Sequence, residues 1–234
     1  MADRLFIQNT LESTVKDSNG NFLGHVPKSG KSGPTIANGF DIGQHNKEDL
    51  LKYNFGEKIN KKLEPGLGKN LSNTSAEELD KIANQIVLTP EEGERVNKNY
   101  FNKFVNDTEK EYNNIFKDSK DENVVNRFKN LSSLYQTLLV QHKIVAGNIK
   151  NAPSLYNSIS KNDVDSIIST LNKYYQNRSY NETRKDALVN YINDVLLPTQ
   201  EMYQTAQATN RTPPSMDMQT LPTPKIGVDF PTKQ

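Results

Sequence analysis

The stretch that decides the fold runs from Gly24 to Gln44 and reads GHVPKSGKSGPTIANGFDIGQ. Glycine recurs here and just before, at Gly20, Gly24, Gly30, Gly33, Gly39 and Gly43, six of the chain's 12 glycines. Such density permits tight turns and close backbone approaches. Two short runs with β-branched and aromatic residues, NFLGHVP and PTIANGFDI, lie between the glycines. They predict extended segments paired as a small antiparallel hairpin or three-stranded sheet.

Moving outward, the residues on either side read as helix. Arg4 to Val15 predicts an opening helix with Leu5, Phe6 and Leu11 facing inward, closed by the turn cluster DSNGN. Past the glycine-rich region, Ser75 or Thr74 precedes AEELDKIANQIV, with Glu77 and Glu78 placed as capping-box partners, and predicts a helix over 76–87. Thr89 with Pro90 in the first turn opens a second, carried to Phe116 by Val96, Tyr100, Phe101, Phe104, Val105, Tyr112 and Ile115 at a spacing near 3.6. A third stripe, Val124, Phe128, Leu131, Leu134, Tyr135, Leu138 and Leu139, predicts the most apolar helix, placed at the core and ended by Gly147 as C-cap. Shorter helices are expected over 153–160, 163–176 and 181–197, the last stopped by Pro198. The fold class is therefore α+β, with a small N-terminal antiparallel β region at 18–45 and a larger all-helical lobe at 46–198.

From Thr199 the pattern changes. Six of the 11 prolines fall at or after Pro198, and large apolar residues become sparse, so 199–234 reads as an extended, proline-spaced arm outside the 1–198 domain. With little charge or aromatic pattern suited to sugars, residues 205–234 are expected to dock on another protein.

Composition narrows the function classes. The 234 residues carry 29 basic against 28 acidic side chains and no cysteine. Disulfides, thiolate metal sites and thiol nucleophiles are thereby excluded. A net charge of +1 gives no drive toward nucleic acid. No apolar run reaches the roughly 18 residues of a membrane span. The start MADRLFIQNTLESTVK lacks the basic-then-apolar layout of a signal peptide, so the expectation is a chain soluble as made, with no membrane insertion.

Several motifs fail on inspection. GHVPKSGKS superficially resembles a phosphate-binding loop, but His25 stands where the first glycine belongs and the extended PTIANGF follows instead of a helix. His25, His45 and His142 lack ligand spacing, so neither metal nor cofactor is expected. No G-x-S-x-G elbow is present. Carboxylates remain. Glu12 lies late in the opening helix beside Leu11 and Val15, a partly apolar setting that disfavours the charged form, as a general acid requires. Asp41 sits among small residues that leave room for a ligand, and Thr35, six residues earlier, carries a hydroxyl able to hold a water. Each residue alone also fits a plain structural role: exposed helix glutamate, turn aspartate, strand threonine.

A resemblance decides between these readings. The 24–44 stretch resembles the signature of the pesticin-type lysozyme family, bacterial toxin domains and phage-related muramidases with a pattern near G-Y-V-P, a short loop, then S-G-V-T-I-G-x-G-F-D-L-G-Q. Gly24, Val26, Pro27, Ser32, Gly33, Thr35, Ile36, Gly39, Phe40, Asp41, Gly43 and Gln44 agree in order and spacing, while His25 replaces an aromatic and Pro34 an aliphatic residue. The late stretch NRSYNETRKDALVNYI is more weakly similar to the family's R-R-x-x-E-A-x-L helix. The resemblance implies a lysozyme-like fold and a peptidoglycan hydrolase cutting the β-1,4 bond between N-acetylmuramic acid and N-acetylglucosamine. It implies Glu12 as general acid, Asp41 as the group that activates water and Thr35 as the group that holds it, with Gly39, Phe40 and Gln44 as substrate-binding residues. The expected setting is a phage enzyme, tail-associated or released as an endolysin, acting at the periplasm or cell wall, with phage tail proteins as partners of 205–234. An alternative is a weakly active lysozyme fold retained as a structural or wall-binding virion component.

Overall fold

A computed structural model describes residues 1–7, 14–27, 31–175 and 185–195. In chain order its elements are α1 (Arg4–Phe6), β1 (Phe22–Leu23), β2 (Thr35–Ile36), β3 (Phe40–Asp41), α2 (Lys47–Tyr53), α3 (Glu57–Leu63), α4 (Ala76–Ala83), β4 (Val87–Leu88), α5 (Pro90–Phe116), α6 (Ser133–Ala146), α7 (Pro153–Ser160) and α8 (Val164–Tyr175). A further helical stretch, α9, covers 185–195. The fold is α+β, dominated by helices, with small antiparallel ladders near the start. Among the described residues no helix is long and apolar enough to cross a membrane.

The chain forms two compact units. One is the contiguous stretch Glu12–Lys103, and the other joins Met1–Leu11 to the chain from Phe104 onward. In the contiguous unit, β1 pairs with β4 and β2 with β3. Single bridges between Lys16 and Phe22 and between His25 and Thr35 extend these ladders. The apolar core beneath them includes Phe22, Ile36, Phe40, Phe55, Leu63 and Leu88, all fully buried. Strand alternation explains the selection, because Ile36 and Phe40 are cross-strand partners and so share one face.

The second unit is built on α6. Ser132 caps this helix by accepting from the Tyr135 amide, Gly147 ends it in the left-handed conformation, and every residue from Leu134 to Lys143 is buried. The N-terminal residues are fastened to it: the Asp3 amide donates to Thr137 Oγ1 at 2.7 Å. Asp3 also receives a hydrogen bond from the Tyr191 hydroxyl at 3.2 Å, and Tyr191 stacks on Phe6 with centroids 3.9 Å apart. The N-terminal residues and α9 thus enter one unit. Burying Lys143 in α6 is possible because Glu111 of α5 takes its ammonium on Oε1, while Oε2 accepts from the Ile149 amide at 3.0 Å.

The expected long helix is present as α5, opened by a reciprocal cap in which the Glu92 amide donates to Thr89 Oγ1 and the Thr89 amide to Glu92 Oε2. The helix at 153–160 is present as α7, and the 163–176 expectation corresponds to α8. Four readings are corrected. Leu5 is 49% exposed; Phe6 faces inward as expected, and Ile7 takes the other inward place, with Asp3 capping α1. The opening helix does not reach Val15, since Thr14 and Val15 are not helical, while 8–13 lie outside the described residues. The helix begun at Ala76 ends at Ala83, and Val87–Leu88 becomes a strand for Phe22–Leu23. The stripe from Val124 is helical only from Ser133: before that, the Tyr112 hydroxyl donates to the Val125 carbonyl and the Phe128 amide to Asn113 Oδ1, holding a turn and one 3₁₀ segment. The expected arm at 199–234 lies outside the described residues.

Candidate active site

Strands β2 and β3 form a hairpin whose connection is only Ala37, Asn38 and Gly39. Ala37 and Gly39 both take positive φ, 55° and 85°, so the turn contains one non-glycine residue in the left-handed region. Its register sets Thr35 opposite Asp41 and Ile36 opposite Phe40. On the other edge of β2, the His25 amide donates to the Thr35 carbonyl at 2.9 Å and the Thr35 amide to the His25 carbonyl at 2.7 Å. Directly paired residues on antiparallel strands project to the same side. His25, Thr35 and Asp41 therefore form a row across one face, opposite the face that Phe40 and Ile36 bury.

Two of these side chains converge on one residue. The Thr35 hydroxyl donates to the Gly33 carbonyl at 3.2 Å, and Asp41 Oδ1 accepts from the Gly33 amide at 3.1 Å. Thr35 is buried, at 4% exposure, and Asp41 is half-buried. Among the described residues Asp41 Oδ2 receives no hydrogen bond, and the Thr35 oxygen keeps its lone pairs. One carboxylate oxygen and one hydroxyl acceptor thus remain able to bind a water.

Gly33 itself is sterically required. A Cβ there would lie 2.0 Å from the Lys69 carbonyl oxygen and 2.7 Å from the Gly43 Cα; one at Gly43 would lie 2.3 Å from the same oxygen. Only two glycines fit back to back beneath that carbonyl. The packing fixes the peptide that Asp41 grips.

The other expected site residues take different places. Phe40 is fully buried, stacked on His45 with centroids 4.8 Å apart and meeting Tyr53, Phe55 and Tyr100 edge-on. Its ring has no surface for a sugar and acts as the floor under the hairpin. Gln44 is exposed and donates through Nε2 to the Lys31 carbonyl at 3.0 Å, and Gly39 forms the turn. Burial holds His45 below its ordinary pKa, against the opposing attraction of the Asp49 and Asp41 carboxylates. Burial likewise lowers His25. Among the described residues no group of three His, Asp or Glu side chains could hold a metal ion.

Glu12 lies outside the described residues. Thr14, two positions further along the chain, donates to the Ala37 carbonyl at 3.4 Å, at the hairpin turn. The sequence reading did not single out Asn97, whose Oδ1 accepts from the Asn38 amide at 2.8 Å. Its signal was present: a polar residue at an inward position of α5, next to Val96 and one turn from Gly93 and Phe101.

The model of the Pesticin family, described as bacterial toxin homologue of phage lysozyme, C-term, matches residues 6–165, well over half of the 234. No curated protein matches the chain.

Proposed function

We propose, from the premise that this chain belongs to the Pesticin family of phage-lysozyme homologues and is a lysozyme-type glycoside hydrolase acting on peptidoglycan, that it cleaves the β-1,4 bond between N-acetylmuramic acid and N-acetylglucosamine with inversion. The observation that carries this reading is the pairing of Thr35 with Asp41, both anchored on Gly33 and both keeping an acceptor for water. Inversion needs an ionised carboxylate to deprotonate an attacking water and a protonated carboxyl on the other side of the sugar, about 6.5 to 9.5 Å away.

In the proposed reaction Thr35 accepts one hydrogen of the water and Asp41 Oδ2 the other. As the water oxygen bonds to the anomeric carbon of muramic acid, its proton passes to Asp41. The bond from that carbon to the leaving oxygen breaks, and Glu12 supplies the proton that oxygen needs. Exchange with solvent returns Asp41 to its ionised and Glu12 to its protonated form. The two oxygens of Asp41 are placed differently: the Gly33 N–H holds Oδ1, while Oδ2 is left to take the proton. Gly39 and Gln44, at the turn and on the surface beyond β3, are proposed as places where the glycan touches the hairpin.

We assign the remaining parts of the reading to the same proposal. The enzyme acts at the cell wall of a bacterium, is phage-encoded, and uses residues 205–234 to attach to a phage particle. The test of hydrolysis is direct. Purified protein added to isolated sacculi should release muropeptides with reducing muramic acid ends of inverted anomeric configuration, and Glu12→Gln should release none. Absence of product from the wild type across pH and sacculus types would sink the hydrolase reading and leave a structural or wall-binding role.

A further inference from the structure

The peptide between Ala37 and Asn38 is held at both ends. Its N–H donates to Asn97 Oδ1 at 2.8 Å, and its C=O accepts from Thr14 Oγ1 at 3.4 Å. Asn97 reaches this turn from α5, 59 residues along the chain, and is 2% exposed. Its Nδ2 donates to Glu94 Oε1 at 3.4 Å, one helical turn earlier, which fixes which end of the amide faces the hairpin. An asparagine in an otherwise apolar seam is costly to bury unless its hydrogen bonds are needed there.

The turn gives that need a physical form. Ala37 lies in the left-handed region at φ 55°, a conformation in which a Cβ crowds the following carbonyl, and such strain persists only where the surroundings impose it. The orientation of the 37–38 peptide sets ψ of Ala37, so whatever holds this plane holds the turn. The ladder beyond it is only two pairs long, Ile36 with Phe40 and Thr35 with Asp41. Side chains alternate along a strand, and a slip of one residue would turn Asp41 away from Thr35 and carry Phe40 out of the core. So short a ladder depends on anchors at both ends for its register: the Ile42 amide bonded to the Pro34 carbonyl and the Gly33 seat at one end, and the turn at the other.

We propose that Asn97 is a positioning residue for the reaction: by capturing the Asn38 amide it holds the Ala37–Gly39 turn and, through it, the register that sets Asp41 opposite Thr35. The inference rests on the hydrolase reading for its kinetic consequence but not for its structural one. Asn97 touches no reacting atom. Its effect is on the alignment of groups that do, where a displacement of 1 Å is expected to cost about a hundredfold in rate.

The experiment uses the full chain with Asn97→Leu, which has similar volume and no acceptor, and the pair Asn97→Asp with Glu94→Gln. The pair restores an acceptor for the Asn38 amide and a donor between positions 94 and 97. Activity on a soluble glycan fragment is read alongside amide hydrogen exchange at residues 37–41. Asn97→Leu should lower kcat by about 10- to 100-fold with KM changed less than about twofold, and the turn amides should exchange at least about tenfold faster while α3 and α4 keep their protection. The pair should return both readouts most of the way. Should Asn97→Leu not fold, Asn97→Ser, whose hydroxyl is too short to reach, takes its place with the same expectation. A folded single variant with wild-type kcat and wild-type exchange overturns the proposal, as does a loss that the pair fails to restore. If the wild type does not hydrolyse glycan, the functional reading fails separately, and exchange at the Asn38 amide alone decides the role of Asn97.

Discussion

Thr35 and Asp41 hold the two sides of one residue, the threonine hydroxyl donating to the Gly33 carbonyl at 3.2 Å and the aspartate accepting from the Gly33 amide at 3.1 Å. Asn at position 41 can keep that acceptor while losing the charge. Asp41→Asn should therefore lower muropeptide release by about 10²- to 10⁴-fold, the range for a lost general base, with little change in the melting temperature. Thr35→Val removes the hydroxyl from a buried site and should additionally cost about 1 kcal/mol of stability. A wild-type rate in Asp41→Asn would remove Asp41 from the chemistry.

The Gly33–Gly43 contact leaves no space for a methyl group. In Gly43→Ala the new Cβ meets the Lys69 carbonyl at 2.3 Å and the Gly33 Cα at 2.7 Å, and both neighbours are backbone that cannot swing aside. We expect about 3 kcal/mol of destabilisation by urea titration, the upper part of the range for overpacking. Hydrolysis should fall with it, because the displaced atom adjoins the amide that anchors Asp41. An unchanged urea midpoint would show that the segments around Gly33 and Gly43 separate without cost.

Glu92 provides an acid-sensitive fastening in the same unit. Burial raises the pKa of its carboxyl, but the Lys62 ammonium at 2.6 Å, the Thr89 amide at 3.0 Å and Lys58 at 2.9 Å outweigh that and hold it at about 2. A carboxyl depressed on folding contributes stability that is complete above its unfolded pKa of 4.5 and disappears as pH falls through 2. Because the lysines are partly exposed, screening reduces the contribution to about 2 kcal/mol. Glu92→Gln should be less stable than wild type by about that amount at pH 7, with the two unfolding curves converging near pH 2. A constant difference across that window would assign the effect to packing.

His142 acts in a higher window. It is 2% exposed in α6, edge-on to Tyr174 at 4.7 Å, and burial alone lowers its pKa to about 4. As pH falls from 6.5 the unfolded chain takes up a proton that the folded chain refuses, so stability declines until about pH 4. His142→Phe should flatten that decline and be more stable than wild type at pH 4 by up to about 3 kcal/mol relative to its difference at pH 7. Parallel stability curves for the two proteins between pH 7 and pH 4 would contradict the assignment.

Much of this architecture could be read in the residues themselves, and the exceptions have a common cause. The glycine spacing indicated short extended segments but not their pairing, since PTIANGFDI folds back on itself as β2–β3 while NFLGHVP supplies β1 for β4. The start of α5 followed from Thr89 and Pro90, and the burial of α6 from an apolar stripe ended by Gly147. Local chemistry specified those elements. Val87 and the stretch from Val124 to Leu131 fit a helix by apolar spacing, while their conformation is set by distant groups: the Phe22–Leu23 strand in one case, Tyr112 and Asn113 in the other. The site divides in the same way. Thr35 and Asp41 were singled out by the resemblance of 24–44 to the family signature, whereas the anchoring of both on Gly33 depends on Gly43 and Lys69, and the grip of Asn97 on the turn spans 59 residues. The resemblance implied Phe40 as a substrate-binding residue. Strand alternation instead turns its ring into the core.

The division of the chain has a consequence in time as well as in space. The Glu12–Lys103 unit is contiguous, so every contact that builds the hairpin and its glycine seat closes a loop within that segment. The other unit fastens Asp3 to Thr137 and Tyr191, across 134 and 188 residues. Loop closure grows costlier with separation, and folding slows as contacts become less local. During synthesis the hairpin bearing Thr35 and Asp41 can assemble while the first seven residues still wait for partners at Thr137 and Tyr191. The unit bearing Thr35 and Asp41 is therefore expected to fold first, and the N-terminal strap, begun at Thr137, to be completed only when Tyr191 of α9 has left the ribosome.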